Sequence, residues 1–472
     1  MKHLYLILIL SVCFTSCKKE NKYGHDNCAF LGGEIINPSN NYVVISQDKI
    51  VLDTVQLDQN NRFLFKINPV NAGLYTFSHG GEIQMVLLEP NDSIIFRLNN
   101  LDFDESLVFT GRGAKENNYL INMFLQNEKS NRAILKFSQT TPENFAFKVD
   151  SIKSLYQKNL DEFKSKYKTS DKFNHIAQAN IDYNFYAQKE LYPFTFYGNS
   201  ELKNMKSLPR DFYAYRSKVD YNDESLKDYF PYFTFLRYHF NNIALQKHFE
   251  ESNDSIFNNR NLDFNLSKLE LIDSLVSNDS IKNSLLNFAA LRYINSSAKI
   301  SNYTPYLESY LEKSTLAKNN EQISNLIGSL EKLKPGNVLP NTIVTNSSNE
   351  ELYLSDFVKR PTVIYFWSFT LKNHFLDSHR MTQELARKYP EIDFIAMNID
   401  KNNEEWINYL EQYKYPLKNE YHFKDPNFSR QILAINSINR VMLIDKNLTI
   451  INSHTNMFSK DFEMQLLGML NR

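Results

Sequence analysis

Thr362-Val-Ile-Tyr-Phe-Trp-Ser-Phe-Thr-Leu-Lys-Asn-His374 decides how the C-terminal third of this 472-residue chain is read. Val363–Phe366 is a short, unbroken apolar run, the pattern of a strand covered on both faces. Behind Trp367 the spacing changes, and Phe375, Met381 and Leu385 mark a helix. Two more apolar runs follow, Phe394–Ile399 and Val441–Ile444, with a second helical pattern through Trp406, Ile407 and Leu410 between them. Strands and helices in that order predict a parallel or mixed sheet with helices packed against it.

Further landmarks stand around these elements in order. Lys334-Pro-Gly-Asn-Val-Leu-Pro340 and Leu352-Tyr-Leu-Ser-Asp-Phe357 precede the quoted strand. Tyr389–Asp400 is a helix end, a turn and a strand closing on Asp, and Ile435-Asn-Ser-Ile-Asn-Arg-Val-Met-Leu-Ile-Asp445 ends the series. Together they resemble the TlpA/ResA branch of thiol-disulfide oxidoreductases. There an apolar strand ends in Phe-Trp and runs into Cys-x-x-Cys at a helix start, and a cis-proline loop faces the cysteines. The resemblance implies an α/β thioredoxin-like fold over residues 334–472.

It also implies that the chemistry has been removed. Dithiol exchange needs a thiolate favoured at a helix N-terminus and a second sulfur to resolve the mixed disulfide. The cysteine positions hold Leu371 and His374, with Lys372 and Asn373 between them, and the proline position holds Asn439. A cis bond before a non-proline residue costs about 2.5–4 kcal/mol, so the Ile438–Asn439 peptide is expected to be trans. No catalytic residue is assigned, and the expected role is non-redox binding or structure. In the active family this surface holds extended peptides, so an extended peptide or an envelope protein is the expected partner.

Residues 1–17 read as a lipoprotein signal peptide. Met-Lys-His supplies positive charge, Leu4–Val12 is an apolar core well short of the roughly 20 residues that span a bilayer, and Phe14-Thr-Ser-Cys17 resembles a lipobox. Cys17 would then carry lipid, residues 18–27 would form a tether, and the fold would lie outside the cytoplasm, anchored to a membrane. Cys13 leaves with the signal, so Cys28 is the one remaining thiol and no disulfide framework exists.

Residues 28–112 alternate in short β segments: Tyr42–Ser46, Lys49–Leu57, Arg62–Ile67, Leu74–Phe77, Ile83–Leu88 and Ser93–Leu98. Turn clusters separate them, which predicts an antiparallel β-sandwich. The segment resembles the small β domain preceding the thioredoxin-like domain in lipoproteins of the Bacteroidota, with Thr110–Leu120 as the step into the first helix. Residues 113–333 read as a mainly helical middle region. Val149, Ile152, Tyr156, Leu160, Phe163 and Tyr167 form an amphipathic stripe, and Ile176–Leu191, Leu226–Phe249, Ile281–Ile294 and Ile323–Leu333 repeat it less regularly.

Composition excludes several functions. A net charge of −1 gives no field to attract nucleic acid. Gly111-Arg-Gly113 lacks the further glycines and the lysine of a phosphate loop, and reads as a turn. His374, Asp377 and His379 share a helix but lack the ligand number and spacing of a metal site, so neither metal nor cofactor is expected. Asp-Ser/Thr-aliphatic tripeptides fit the O-glycosylation pattern of exported Bacteroidota proteins at Thr54, Ser93, Ser151, Ser255, Ser274 and Ser280, the copies in exposed turns being the better acceptors. Two rival readings stand beside the non-redox one: a redox protein acting through Cys28 or chemistry at His374, and an accessory lipoprotein of outer-membrane nutrient uptake.

Overall fold

The structure is a computed structural model, described here for residues 27–471 except 255, 297–298 and 403. Cys17, the signal segment and Ser255 lie outside the described residues. The chain divides into two compact units. The first comprises residues up to 196 with 209–214 and 225–235, and the second comprises 197–208, 215–224 and 236 to the end.

Among its described residues the first unit holds eight strands: β1 (Ala29–Ile36), β2 (Tyr42–Gln47), β3 (Ile50–Gln56), β4 (Arg62–Ile67), β5 (Gly73–His79), β6 (Glu82–Leu88), β7 (Ser93–Asn99) and β8 (Val108–Arg112). They form two four-stranded sheets, ordered β4-β1-β7-β8 and β3-β2-β5-β6. Inward residues of both sheets share one apolar core, in which Phe77 of β5 stacks on Phe96 of β7 with ring centroids 4.4 Å apart. The expectation of a wholly antiparallel arrangement needs correction, because β1 pairs with β7 in parallel. Periodicity identifies strands but not their neighbours, and β1 lies between β4 and β7, far from it in sequence.

Helices α1 (Ala114–Phe137), α2 (Pro142–Lys166) and α3 (Asp171–Phe196) belong to this same unit. The reason is local. Ala114 and Ile121 enter the sheet core, and two adjacent asparagines pin strands. The Asn117 side chain bonds both Leu87 N–H (2.7 Å) and Leu87 C=O (2.9 Å), and Asn118 does the same at Phe109 (2.9 and 2.8 Å). Gly113 starts α1 at φ +89°, and a Cβ there would lie 2.7 Å from the Asp92 carboxyl carbon. The positive φ and the close approach of Asp92 make this a position that only glycine fits without strain.

In the second unit α4 (Phe230–Glu251, counted here from residue 236), α5 (Leu262–Leu275), α6 (Asp279–Ser296), α7 (Tyr303–Lys313) and α8 (Ala317–Lys332) precede the second α/β region. The helices of 113–333 are thus divided between the two units. The remaining strands are β9 (Ile343–Thr345), β10 (Glu351–Tyr353), β11 (Thr362–Trp367), β12 (Asp393–Asn398), β13 (Glu420–Phe423), β14 (Arg440–Ile444) and β15 (Ile450–Asn456). They form one mixed sheet in the order β10-β9-β13-β12-β11-β14-β15. β11, β12 and β13 run parallel, β14 is antiparallel to β11, and β15 is antiparallel to β14. Helices α9 (Lys372–Lys388), α10 (Glu405–Gln412), α11 (Pro426–Ile432) and α12 (Phe462–Leu470) complete it. β11 is buried at every position and β14 likewise, which is why their apolar runs are unbroken in sequence.

Candidate functional site

The Ser368–His374 turn lies where β11 meets α9. After Trp367 the chain bends through Ser368–Thr370 and enters the helix with Leu371 as its N-cap. The Leu371 N–H donates to Ser368 C=O at 3.2 Å, and the Phe375 N–H to Leu371 C=O at 3.0 Å. The Asp400 carboxylate, at the end of β12, fixes the bend. It accepts Ser368 Oγ–H at 2.5 Å, the Phe369 N–H at 2.9 Å and Asn398 Nδ2–H at 2.9 Å. A carboxylate taking three donors makes charge-assisted bonds that hold a turn better than neutral ones.

Leu371, Lys372 and Asn373 are exposed, Leu371 at 46%. Lys372 Nζ stands 5.5 Å from the Tyr413 ring centroid. His374 is half-buried, its ring edge-on to Phe458 at 6.0 Å, and among the described residues neither ring nitrogen has a hydrogen-bond partner. Burial, with His379 adding to it, holds the His374 imidazole below its ordinary pKa of 6.5, so the ring is neutral at pH 7. Asn439 is exposed and immediately precedes β14, and the Ile438–Asn439 peptide is trans. The register Tyr365↔Val441 puts the Asn439 loop at the same end of the sheet as the Leu371 turn. The four turn residues and Asn439 therefore share one end of the sheet, and none of them carries a thiol.

Beneath the turn is a polar cluster whose members lie far apart in sequence. His379 of α9 is 3% exposed and Glu420 of β13 is 5% exposed. His379 Nδ1 faces Phe375 C=O at 2.8 Å, and Nε2 faces Glu420 Oε1 at 3.0 Å. Glu420 Oε2 accepts the Trp367 indole N–H at 3.1 Å. A carbonyl only accepts, so Nδ1 carries a proton. A second proton must then lie between Nε2 and Oε1. Burial pushes the Glu420 carboxyl pKa upward, against the opposing pull of His379 and Trp367.

Asp377, read from sequence beside His374, is exposed and paired with Arg380 at 2.9 Å. No group of three or more His, Cys, Asp or Glu side chains able to hold a metal occurs among the described residues. Cys28 is a buried free thiol just before β1, in the first unit. Of the residues in Asp-Ser/Thr-aliphatic tripeptides, Thr54 and Ser93 sit on strands, and Ser151, Ser274 and Ser280 on helices. All five are exposed, none in a turn.

No family model matches the chain, and no curated relative does either. Solved structures do match. A candidate thiol-disulfide oxidoreductase from Bacteroides vulgatus is 23% identical over 29% of this chain and 98% of its own, with a TM-score of 0.26. A candidate thiol:disulfide interchange protein from Chlorobium tepidum gives 19%, 29%, 98% and 0.26 in the same terms. A thioredoxin-like protein from Bacteroides caccae covers more, 60% of this chain and 93% of its own, at 13% identity and a TM-score of 0.32. The structural neighbours of this chain are thus thioredoxin-like proteins and thiol-disulfide oxidoreductases. Among the described residues no helix is long and apolar enough to cross a membrane.

Proposed function

We propose that this chain is an extracytoplasmic, lipid-anchored protein whose C-terminal α/β region is a thioredoxin-like scaffold used for binding rather than thiol exchange. The carrying observation is a turn held by Asp400 at Ser368 and Phe369 and closed by the Phe375 N–H to Leu371 C=O bond, with Leu371 and His374 at the positions of the family's cysteines. Leucine has no nucleophile, and a neutral, half-buried histidine forms no disulfide. The exposed Leu371, Lys372, Asn373 and Asn439 would meet an extended peptide of an envelope protein at that end of the sheet. Residues 28–112, 113–333 and 334–472 remain the proposed sequence domains, with 18–27 as the tether.

Insulin reduction in dithiothreitol tests the redox half of the proposal. The mature chain is expected to perform at background, and Cys28→Ser to change nothing. Turnover well above background that Cys28→Ser abolishes would transfer the active site to the first unit. The anchor is read separately. Intact mass of the mature protein should show diacyl or triacyl lipid on Cys17, since stable attachment takes more than one chain at about 0.8 kcal/mol per buried methylene. Cys17→Ser should leave the protein unprocessed or out of the membrane fraction. An unmodified Cys17 in the mature protein would end the anchor reading.

A further inference from the structure

Strand alternation gives the sheet β4-β1-β7-β8 an outer face, and the register sorts its side chains into rows. Lys66, Phe30, Ser93 and Arg112 form one. Leu64, Gly32, Ile95 and Thr110 form the next, and Arg62, Glu34, Arg97 and Val108 the third. Gly32 is what closes the middle row. A Cβ there would meet Leu64 Cδ1 at 2.9 Å and Ile95 Cδ1 at 3.0 Å, so these two side chains lean together over β1. The result is an apolar strip continued by Val108, with Leu64 61%, Ile95 41% and Val108 54% exposed.

Charge surrounds the strip unequally. Arg62, Lys66, Arg97 and Arg112 point outward against the single carboxylate of Glu34, which takes Arg62 at 2.9 Å and stands 3.8 Å from Arg97. Asp92 lies near Arg112, but within these rows one acid stands against four cations, so they carry an excess of positive charge in a chain whose net charge is −1. Short apolar side chains ringed by cations match the boundary of an anionic bilayer. There the apolar tips enter the headgroup zone while guanidinium and ammonium groups reach phosphate. Chain position favours the same occupant. Cys17 stands twelve residues before Ala29, the start of β1 in the middle of this sheet. At roughly 3.3–3.6 Å per residue, an extended tether reaches about 40 Å.

We propose that the outer face of the sheet β4-β1-β7-β8 docks on anionic lipid headgroups, as a second membrane contact beside the anchor. The choice of occupant rests partly on the lipid-anchor reading, so the test leaves the anchor out. The chain from Lys18 onward is sedimented with vesicles of phosphatidylcholine alone and with vesicles containing about one-third phosphatidylglycerol. It is expected to bind the anionic vesicles and not the neutral ones, and to release as added salt shortens the screening length. Arg62→Glu with Arg97→Glu should weaken that binding by about tenfold or more, whereas Lys164→Glu with Lys168→Glu on the same unit should leave it unchanged. Because reversal beside Glu34 can disturb the sheet, Lys66→Gln with Leu64→Ser is a second variant, and both are checked for native melting.

Absence of binding to anionic vesicles overturns the proposal, as does equal binding to both vesicle types or indifference to both variants in folded protein. Binding to dextran sulfate but not to vesicles would assign the face to a soluble polyanion. A dimer broken by Leu64→Ser would assign it to a second copy. Either result also overturns it. Failure of the anchor itself shows elsewhere, as an unmodified Cys17, and leaves the vesicle result standing.

Discussion

Replacing Glu420 by leucine will lower the stability of the C-terminal α/β region by about 3 kcal/mol, while Glu420→Gln will stay within about 1 kcal/mol of the native chain. Leucine fills similar space but strands two buried groups, the Trp367 indole N–H and His379 Nε2, each costing roughly 1–3 kcal/mol when unpaired. Glutamine keeps both contacts. Its carbonyl accepts from Trp367, and its amide donates to a neutral His379 whose proton is already committed to Phe375 C=O. The pair of substitutions therefore locates the shared proton. If the native cluster is carboxylic acid and neutral imidazole, glutamine copies it. If it is carboxylate and imidazolium, glutamine loses the charge attraction and costs nearly as much as leucine. Urea unfolding followed by tryptophan emission reads the effect directly. Both tryptophans of the chain, Trp367 and Trp406, are fully buried in this region, and a Glu420→Leu variant of native stability would remove the cluster from the account.

How much of this was legible beforehand depended on whether the signal was local. Val363–Phe366 and Val441–Ile444 lie on β11 and β14, Phe394–Ile399 overlaps β12 and passes its end by one residue, and the two helical patterns lie on α9 and α10. Strands buried on both faces and amphipathic helices write themselves into periodicity. All six β segments named in residues 28–112 likewise lie on strands. β1 was not singled out, because Ala29-Phe-Leu-Gly-Gly-Glu-Ile-Ile36 carries two glycines, which ordinarily weaken a strand. Its parallel pairing with β7 was illegible for a different reason, since pairing is decided by packing across the whole sheet.

Leu371, Lys372, Asn373 and His374 sit together at one helix start, a stretch contiguous in sequence. Glu420 was not legible in this way. Its partner His379 is 41 positions away, and Lys418-Asn-Glu-Tyr-His-Phe423 looks like a polar connection. The available hint was the placement of His379 four residues after Phe375 on the apolar side of α9, where a buried histidine needs a partner.

The central claim is that Ser368–His374 is a thioredoxin-type turn whose thiols have been replaced, and restoring them tests it most directly. In a Cys28→Ser background, Leu371→Cys with His374→Cys places one thiol at the N-cap of α9 and the other in its first turn. The Phe375 N–H to Leu371 C=O bond shows that turn to be closed. The two Cα atoms should then fall within the roughly 4.4–6.8 Å that a disulfide bridges. The helix N-terminus should favour the thiolate of the first cysteine. Turnover need not return, because Lys372, Asn373 and Asn439 still replace the residues around the thiols. The measurement is the mass of the folded variant after mild oxidation and alkylation. The account predicts a protein lighter by two hydrogens that takes up no alkylating agent and melts as the native chain does. Two cysteines that remain separately alkylated in folded protein would contradict it.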